Sequence, residues 1–192
     1  STSIKEPTDI NKLCDEFVRL SYHGLKAKDA KFNCEYKLDL DPKLPLVNVV
    51  SQDIGRVLLN VVNNAFQACN EKLESLKSES QEEYKPLISI STNYVASPRR
   101  CVSISISDNG PGIPDAIKDK IFQPFFTTKP TGQGTGLGLS LTYDIVKAHG
   151  GELKVETKVA SKDDPRLNDT VGQAVGRGEG SQFIIQLPIN QN

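Results

Sequence analysis

Between residues 9 and 28 the apolar positions Ile10, Leu13, Cys14, Phe17, Val18, Leu20 and Leu25 recur at helical spacing, which predicts a helix with one buried stripe. Thr8 or Asp9 is placed to cap its start, and Gly24 lies near its far end. From residue 32 to residue 40 the period shortens to two, the mark of a strand, which Asp41-Pro42 then breaks. A short apolar run over 47–50 leads to Ser51, the expected N-cap of a second helix over about 52–77. Ile54, Val57, Leu58, Val61, Ala65, Ala68, Cys69 and Leu73 form its apolar stripe. Asn60, Asn64, Gln67 and Glu71 recur three and four residues apart on a different face, so one polar column runs beside the core. Asn63 falls off that column and is read as incidental.

Residues 74–85 are polar and charged, a loop or frayed helix end. Two clean alternations, 87–95 and 101–107, are joined by a turn containing Pro98-Arg99-Arg100 and predict an antiparallel pair. The second of these strands delivers Asp108 at its end. A third long helix is expected over Gly138–Ala148, stopping at Gly150-Gly151. Segments 152–159 and 181–187 read as the last two strands, and the Gly- and charge-rich 160–180 as a mobile excursion between them. No internal repeat is visible, and helices and strands do not alternate as βαβ units. The expected fold class is therefore α+β: a mixed, mostly antiparallel sheet covered on one face by helices.

At 192 residues, 37% hydrophobic and 24% charged, the chain fits one globular domain over 1–192. A net charge of −1 gives no reason to expect nucleic acid or an anionic membrane as the main partner. The cysteines Cys14, Cys34, Cys69 and Cys101 include no CxxC pair, and zinc-ligand spacing is absent. Cys69 and Cys101 sit in apolar patterns, as buried reduced thiols do, which favours a reducing, cytosolic compartment. No stretch approaches the ~20 apolar residues that cross a bilayer. Because the chain begins with Ser1, a fragment of a longer protein is a natural reading.

The chemistry gathers in 108–140. Asp108-Asn109-Gly110-Pro111-Gly112-Ile113-Pro114 places one carboxylate at a strand end, followed by a Gly/Pro turn. Such a carboxylate either accepts a hydrogen bond from an exocyclic amine such as adenine N6 or simply satisfies its own turn. Gly110 and Gly112 would let backbone approach a flat ring. Phe122, Phe125 and Phe126 are either packing residues or a lid hinge, and 115–135 is where mobility is expected. Gly132, Gly134, Gly136 and Gly138 alternate with Gln133, Thr135 and Leu137 up to the helix, and its N–H groups make an anion site suited to polyphosphate. Lys129 either adds a cation at the γ-phosphate or is an ordinary surface lysine. Asn64 offers an amide oxygen for Mg²⁺, which takes its remaining ligands from water and phosphate. Neither GxxxxGKS nor GxxxxGKT occurs, nor a strand followed by GxGxxG.

Taken in order, Asn64 with its helix, 108–114, 122–129 and 132–140 resemble the N box, first glycine box, F box and second glycine box of the catalytic ATP-binding domain of bacterial sensor histidine kinases, within the wider GHKL group. His149-Gly150-Gly151 is similar to the histidine-kinase branch in particular, and the resemblance covers about residues 5–190. It implies the Bergerat α/β sandwich, binding Mg·ATP. Asp108, Gly110 and Gly112 would then hold adenine, with Ser181 near it, where the family often has threonine. Asn64 would hold Mg²⁺, and Gly134, Thr135, Gly136, Leu137 and Gly138 the phosphates under a mobile lid. Asn60 stands where hydrolytic GHKL members carry a glutamate, and an amide cannot act as a base, so phosphoryl transfer to histidine is favoured over hydrolysis. Neither His23 nor His149 has the surroundings of an acceptor histidine. The resemblance therefore implies an acceptor domain upstream in a homodimeric parent and a response-regulator receiver downstream. It also implies a cytoplasmic location, in a parent that is either cytosolic or anchored in the inner membrane. The rival readings are an ATP-hydrolysing clamp, a serine kinase of the same group and a nucleotide-binding regulatory module.

Overall fold

The alternating segments pair into one sheet, and the register of that pairing fixes what the helices cover. The computed structural model describes residues 4–76, 84–128, 138–159 and 179–189. From the N-terminus the elements are β1 (Glu6–Thr8), α1 (Ile10–Lys28), β2 (Glu35–Leu40), β3 (Val47–Val49) and α2 (Ser51–Ser75). They continue with β4 (Leu87–Val95), β5 (Cys101–Asp108), α3 (Asp115–Lys118), α4 (Gly138–Ala148), β6 (Glu152–Lys158) and β7 (Gly180–Pro188). Five strands lie in the order β2-β4-β5-β7-β6, with β2 parallel to β4 and every other neighbour antiparallel. β1 and β3 form a separate antiparallel ribbon. The α+β expectation with a mixed, mostly antiparallel sheet is thus met.

Cross-strand partners align Leu38, Ile90, Ile106, Phe183 and Val155 in one row and Leu40, Thr92, Ile104, Ile185 and Leu153 in the next. Side chains one row apart on the same face of a sheet are two residues apart in each strand, so both rows face the same way. Against them lies the buried stripe of α2, with Ile54, Val57, Leu58, Val61, Ala65, Phe66 and Cys69. α1 and α4 pack on either side of α2, which makes α2 the middle of the helix layer. The other sheet face presents Ser89, Ser91, Ser105, Ser107, Gln182 and Gln186, the polar side of a half-solvated antiparallel sheet. Among the described residues no helix is long and apolar enough to cross a membrane.

Several boundaries differ from the sequence reading, each for a local reason. Asp9 is the cap of α1, its carboxylate accepting from the Lys12 amide at 3.1 Å. The helix runs past Gly24 to Lys28, and Leu20 points outward, 56% exposed. Residue 32 precedes β2 because the Phe32 amide donates to the Asp29 carbonyl (3.0 Å) and its own carbonyl accepts from Lys26 Nζ (2.8 Å). Its ring is drawn into the core instead. Ser51 does not cap α2. Val50 holds that position without a side-chain bond, while the Ser51 hydroxyl meets Thr8 Oγ1 at 3.0 Å and Glu6 Oε1 at 3.3 Å. His149 compensates at this junction: its Nε2 accepts from the Val50 amide (3.2 Å), while Nδ1 meets the Ile145 carbonyl (2.8 Å). Asn63 is not incidental, since its amide oxygen accepts from the Ser21 hydroxyl and ties α2 to α1. β1 and α3, three and four residues long, are too short to show a period in sequence. All four cysteines are buried free thiols.

Phe66 is fully buried at the centre of a ring cluster, with centroids of Phe32, Tyr22 and Tyr36 at 5.4, 6.2 and 6.5 Å. Phe66→Ala should destabilise the chain by about 3–5 kcal/mol through lost transfer energy and a cavity, read as a lower urea midpoint at unchanged m-value. A loss below about 1 kcal/mol would contradict this packing.

Candidate functional site

One face of α2 forms the long wall of the site. Asn60, Asn64, Ala68 and Lys72 stand four residues apart and so lie along one side of the helix. At the first of these positions, Asn60 Nδ2 donates to the Gly138 carbonyl (3.2 Å) and to Thr142 Oγ1 (3.4 Å), which holds the first turn of α4. At the third, Ala68 abuts Gly110, where an added Cβ would fall 3.0 Å from the alanine methyl. At the fourth, Lys72 Nζ reaches the Asn109 carbonyl at 3.4 Å. From Asn60 to Ala68 the helix advances about 12 Å. Asn64 lies between, half-buried, with no side-chain hydrogen bond to the other described residues. Gln67 also lies on this flank, but Glu71 turns out to solvent, and Lys72 takes the place expected of it.

Asp108 closes the floor. A third row on the inner face runs Tyr36, Ile88, Asp108, Ser181 and Thr157, so the carboxylate stands directly beside the apolar rows. Burial pushes its pKa up from 3.8 to about 6, against the pull of the Gly110 and Ser181 amides and the charge on Lys72. The Gly110 amide donates to Oδ1 at 2.9 Å, as the turn reading expects.

The turn after Asp108 is tied on two sides. Asn109 Oδ1 accepts from the Leu87 amide (2.9 Å), and its Nδ2 donates to the Lys85 carbonyl (2.8 Å). Tyr84 donates to the Asn109 carbonyl (3.1 Å), and Lys72 lies 4.6 Å above the Tyr84 ring and 3.7 Å from Glu179. On the other side, the Ile113 amide donates to Thr157 Oγ1 at 2.7 Å. Gly112 is required twice over: its φ is +75°, and a Cβ would meet the Lys158 carbonyl at 2.3 Å.

Asn60, Asn64, Asp108, Gly110 and Gly138 therefore stand along α2, the β5–α3 turn and the start of α4, with Ser181 paired to Asp108, whereas Gly112 packs on the end of β6 against the Lys158 carbonyl. Lys129, Gly134, Thr135, Gly136 and Leu137 lie outside the described residues, as does most of 160–180. Of the three phenylalanines, Phe122 packs against Tyr143 and Phe183 (5.7 and 6.4 Å between centroids) and Phe126 rests on the core. Phe125 instead points out, 74% exposed, with a φ of 65°. Lys72, Thr142, Tyr84 and Thr157 were not singled out in the sequence. For Lys72 and Thr142 a signal existed, a step of four from Ala68 and from Gly138; Tyr84 and Thr157 had none.

This arrangement has clear relatives. The chain belongs to the histidine kinase-, DNA gyrase B-, and HSP90-like ATPase family, whose model matches residues 49–191. Its relatives within that family include sensor histidine kinases, and the chain is an ATP-binding catalytic domain of that type. It is 32% identical over 156 residues to the sensory histidine kinase/phosphatase NtrB of Rhizobium leguminosarum, covering 79% of this chain and 38% of that protein. Against the signal transduction histidine-protein kinase AtoS of Escherichia coli the identity is 31%, over 96% of this chain and 24% of the other. The chain thus spans well under half the length of these curated relatives. The catalytic domain of histidine kinase ThkA, in a nucleotide-free form, superposes with a TM-score of 0.65 at 28% identity, covering 96% of this chain and 95% of that one.

Asp108→Asn should act on stability and binding in opposite directions. A carboxyl that ionises at 3.8 unfolded and about 6 folded favours the fold fully below 3.8. It opposes folding by up to about 3 kcal/mol once pH exceeds both values. The nucleotide-free variant should therefore be more stable than wild type at pH 8, by about 1–3 kcal/mol in urea titrations, with the gain roughly halved at about pH 5. Its ATP affinity should fall by about 1–3 kcal/mol. An unchanged affinity in calorimetry would remove Asp108 from the base pocket.

Proposed function

We propose that residues 1–192 form one catalytic domain that binds Mg·ATP and presents its γ-phosphate to a histidine on a separate domain of the same protein. The observation that carries this reading is the half-buried Asp108 carboxylate, set on the inner sheet face at one end of the Asn60–Asn64–Ala68–Lys72 wall. At the other end lies the first turn of α4. A site about 12 Å long, acceptor-lined at one end and rich in helix N–H groups at the other, suits a purine joined to a polyphosphate.

In this reading Asp108 accepts from the adenine amine, with Gly110 and Gly112 shaping the turn beside the ring and Ser181 next to it. Asn64 is the Mg²⁺ ligand, and its half-buried amide without a partner among the described residues fits that use. Held there, Mg²⁺ would supply positive charge that offsets charge developing on the phosphates during transfer. Gly134, Thr135, Gly136, Leu137 and Gly138 would cradle the phosphates, and Lys129 would set a cation at the γ-position. The chain's contribution is positioning and charge stabilisation. A bond forms between an imidazole nitrogen and the γ-phosphorus as the bond to the β,γ-bridging oxygen breaks, and ADP leaves with that electron pair. Asn60 holds α4 and cannot take a proton from water, which disfavours hydrolysis. Neither local histidine suits the acceptor role: His149 is buried between Val50 and Ile145, and His23 sits on α1 beside Tyr22. The acceptor would be a dimerising histidine domain of a homodimeric parent, cytosolic or anchored in the inner membrane, with a response-regulator receiver as the next phosphate carrier. Nucleic acid has no part in it.

With radiolabelled Mg·ATP and a separately produced acceptor domain from the same parent, the chain should transfer label that is acid-labile and base-stable. Asp108→Asn should lower transfer at limiting ATP by about 5- to 150-fold, in step with its lost affinity. Steady phosphate release without label transfer would move the reading to a hydrolytic clamp. Asn64→Ala should lower transfer at least about tenfold at low Mg²⁺, with partial recovery as Mg²⁺ is raised; an unchanged Mg²⁺ titration would remove Asn64 as the ligand.

A further inference from the structure

Thr157 belongs to none of the glycine or phenylalanine segments, yet its hydroxyl is fully used at the floor of the site. It accepts from the Ile113 amide at 2.7 Å, meets Ser181 Oγ at 3.0 Å and donates to the Gly180 carbonyl at 3.2 Å. A threonine hydroxyl has one proton to give and two lone pairs. A carbonyl can only accept and an amide can only donate. All three contacts are made together in one way: Thr157 gives its proton to Gly180, and Ser181 gives its own proton to Thr157. With its proton committed to Thr157, the Ser181 hydroxyl has only lone pairs left to offer, and Ser181 stands across the β5–β7 pairing from Asp108.

We infer that Thr157 is a positioning residue that fixes the direction of the Ser181 hydroxyl and so makes the base pocket discriminate against a purine bearing an oxo group. This rests on the reading of the site as an adenine pocket. Two neighbouring acceptors, Asp108 and Ser181, match an exocyclic amine and oppose a carbonyl oxygen at the same place. Asp108 alone does not supply this choice, because a carboxylate also accepts from the ring N–H and amine of guanine. Without the Thr157 hydroxyl, the Ser181 proton is released to donate toward an oxo group. The Ile113 amide also loses its acceptor, which loosens the turn carrying Gly110 and Gly112.

Affinities of Mg·ATP and Mg·GTP, measured by calorimetry on wild type, Thr157→Val and Thr157→Ser, test this. Valine is close to threonine in shape and suits a strand, so circular dichroism should remain native. Thr157→Val should weaken ATP about tenfold and GTP less, narrowing the ATP-to-GTP ratio at least about fivefold, and Thr157→Ser should restore both. A purely structural role would weaken both nucleotides alike. An unchanged ratio in Thr157→Val, or a serine variant that behaves like valine, overturns the inference while leaving the ATP reading intact. If valine does not fold, Thr157→Ala is judged by the same ratio. Wild-type chain that binds neither nucleotide would overturn the ATP reading, and the inference with it.

Discussion

A carboxylate held against an apolar surface is the constraint that organises this molecule. Asp108 ends the central strand β5 in the same inner-face register as Ile106 and Ile104. An ionised group there loses much of its hydration and recovers part of it from fixed donors. The Gly110 amide reaches back to it, and the charge on Lys72 acts from α2. A site that binds a donor on its ligand is thereby left less stable without that ligand, the usual relation between a functional group and the fold that carries it.

The surroundings of that carboxylate are rigid for reasons that can be named. Asn109 closes hydrogen bonds to Leu87 and Lys85, and Tyr84 and Lys72 hold its carbonyl. Thr157 fixes the far side of the turn through Ile113. The two sides leave Gly110 and Gly112 little freedom. Gly110 is also pressed against Ala68, so no side chain stands between the turn and the helix wall. α2 is thus both the centre of the core and a ruler for the site, its apolar stripe on the sheet and its Asn60–Lys72 face along the cleft. The same helix carries α4 through Asn60 and Thr142, and α4 returns the support through His149, which takes up the uncapped Val50 amide. Stability and site geometry share these residues.

That sharing bears on the chemistry proposed for the domain. An asparagine at position 60 keeps α4 in place by donating to Gly138 and Thr142. A glutamate there would bring an acceptor to two oxygens, and the present tether would be lost. The absence of a base at this position and the presence of the tether are therefore one fact seen twice. They fit a domain that positions a phosphate for another protein surface more than one that consumes it with water.

Periodicity alone located α1, α2, α4 and the five strands of the main sheet, because each is long enough to repeat its apolar step and has one buried face. Order and spacing of the glycine, phenylalanine and asparagine segments also picked out Asp108, Gly110, Gly112, Asn60 and Asn64, since turns and close approaches leave their mark in local composition. What the sequence did not determine is which polar side chains end up satisfied by whom. The exclusion of Ser51 from the cap, the use of Asn63 as a tie, and the arrival of Lys72, Tyr84 and Thr157 at the site depend on partners tens of residues away. Those partners are brought near by the β1–β3 ribbon, the packing of α1 on α2, the β4–β5 pairing and the return of β6 beside β7. Burial patterns repeat along the chain and can be read there; hydrogen-bond partners are set by register between strands and helices, which only the tertiary structure decides.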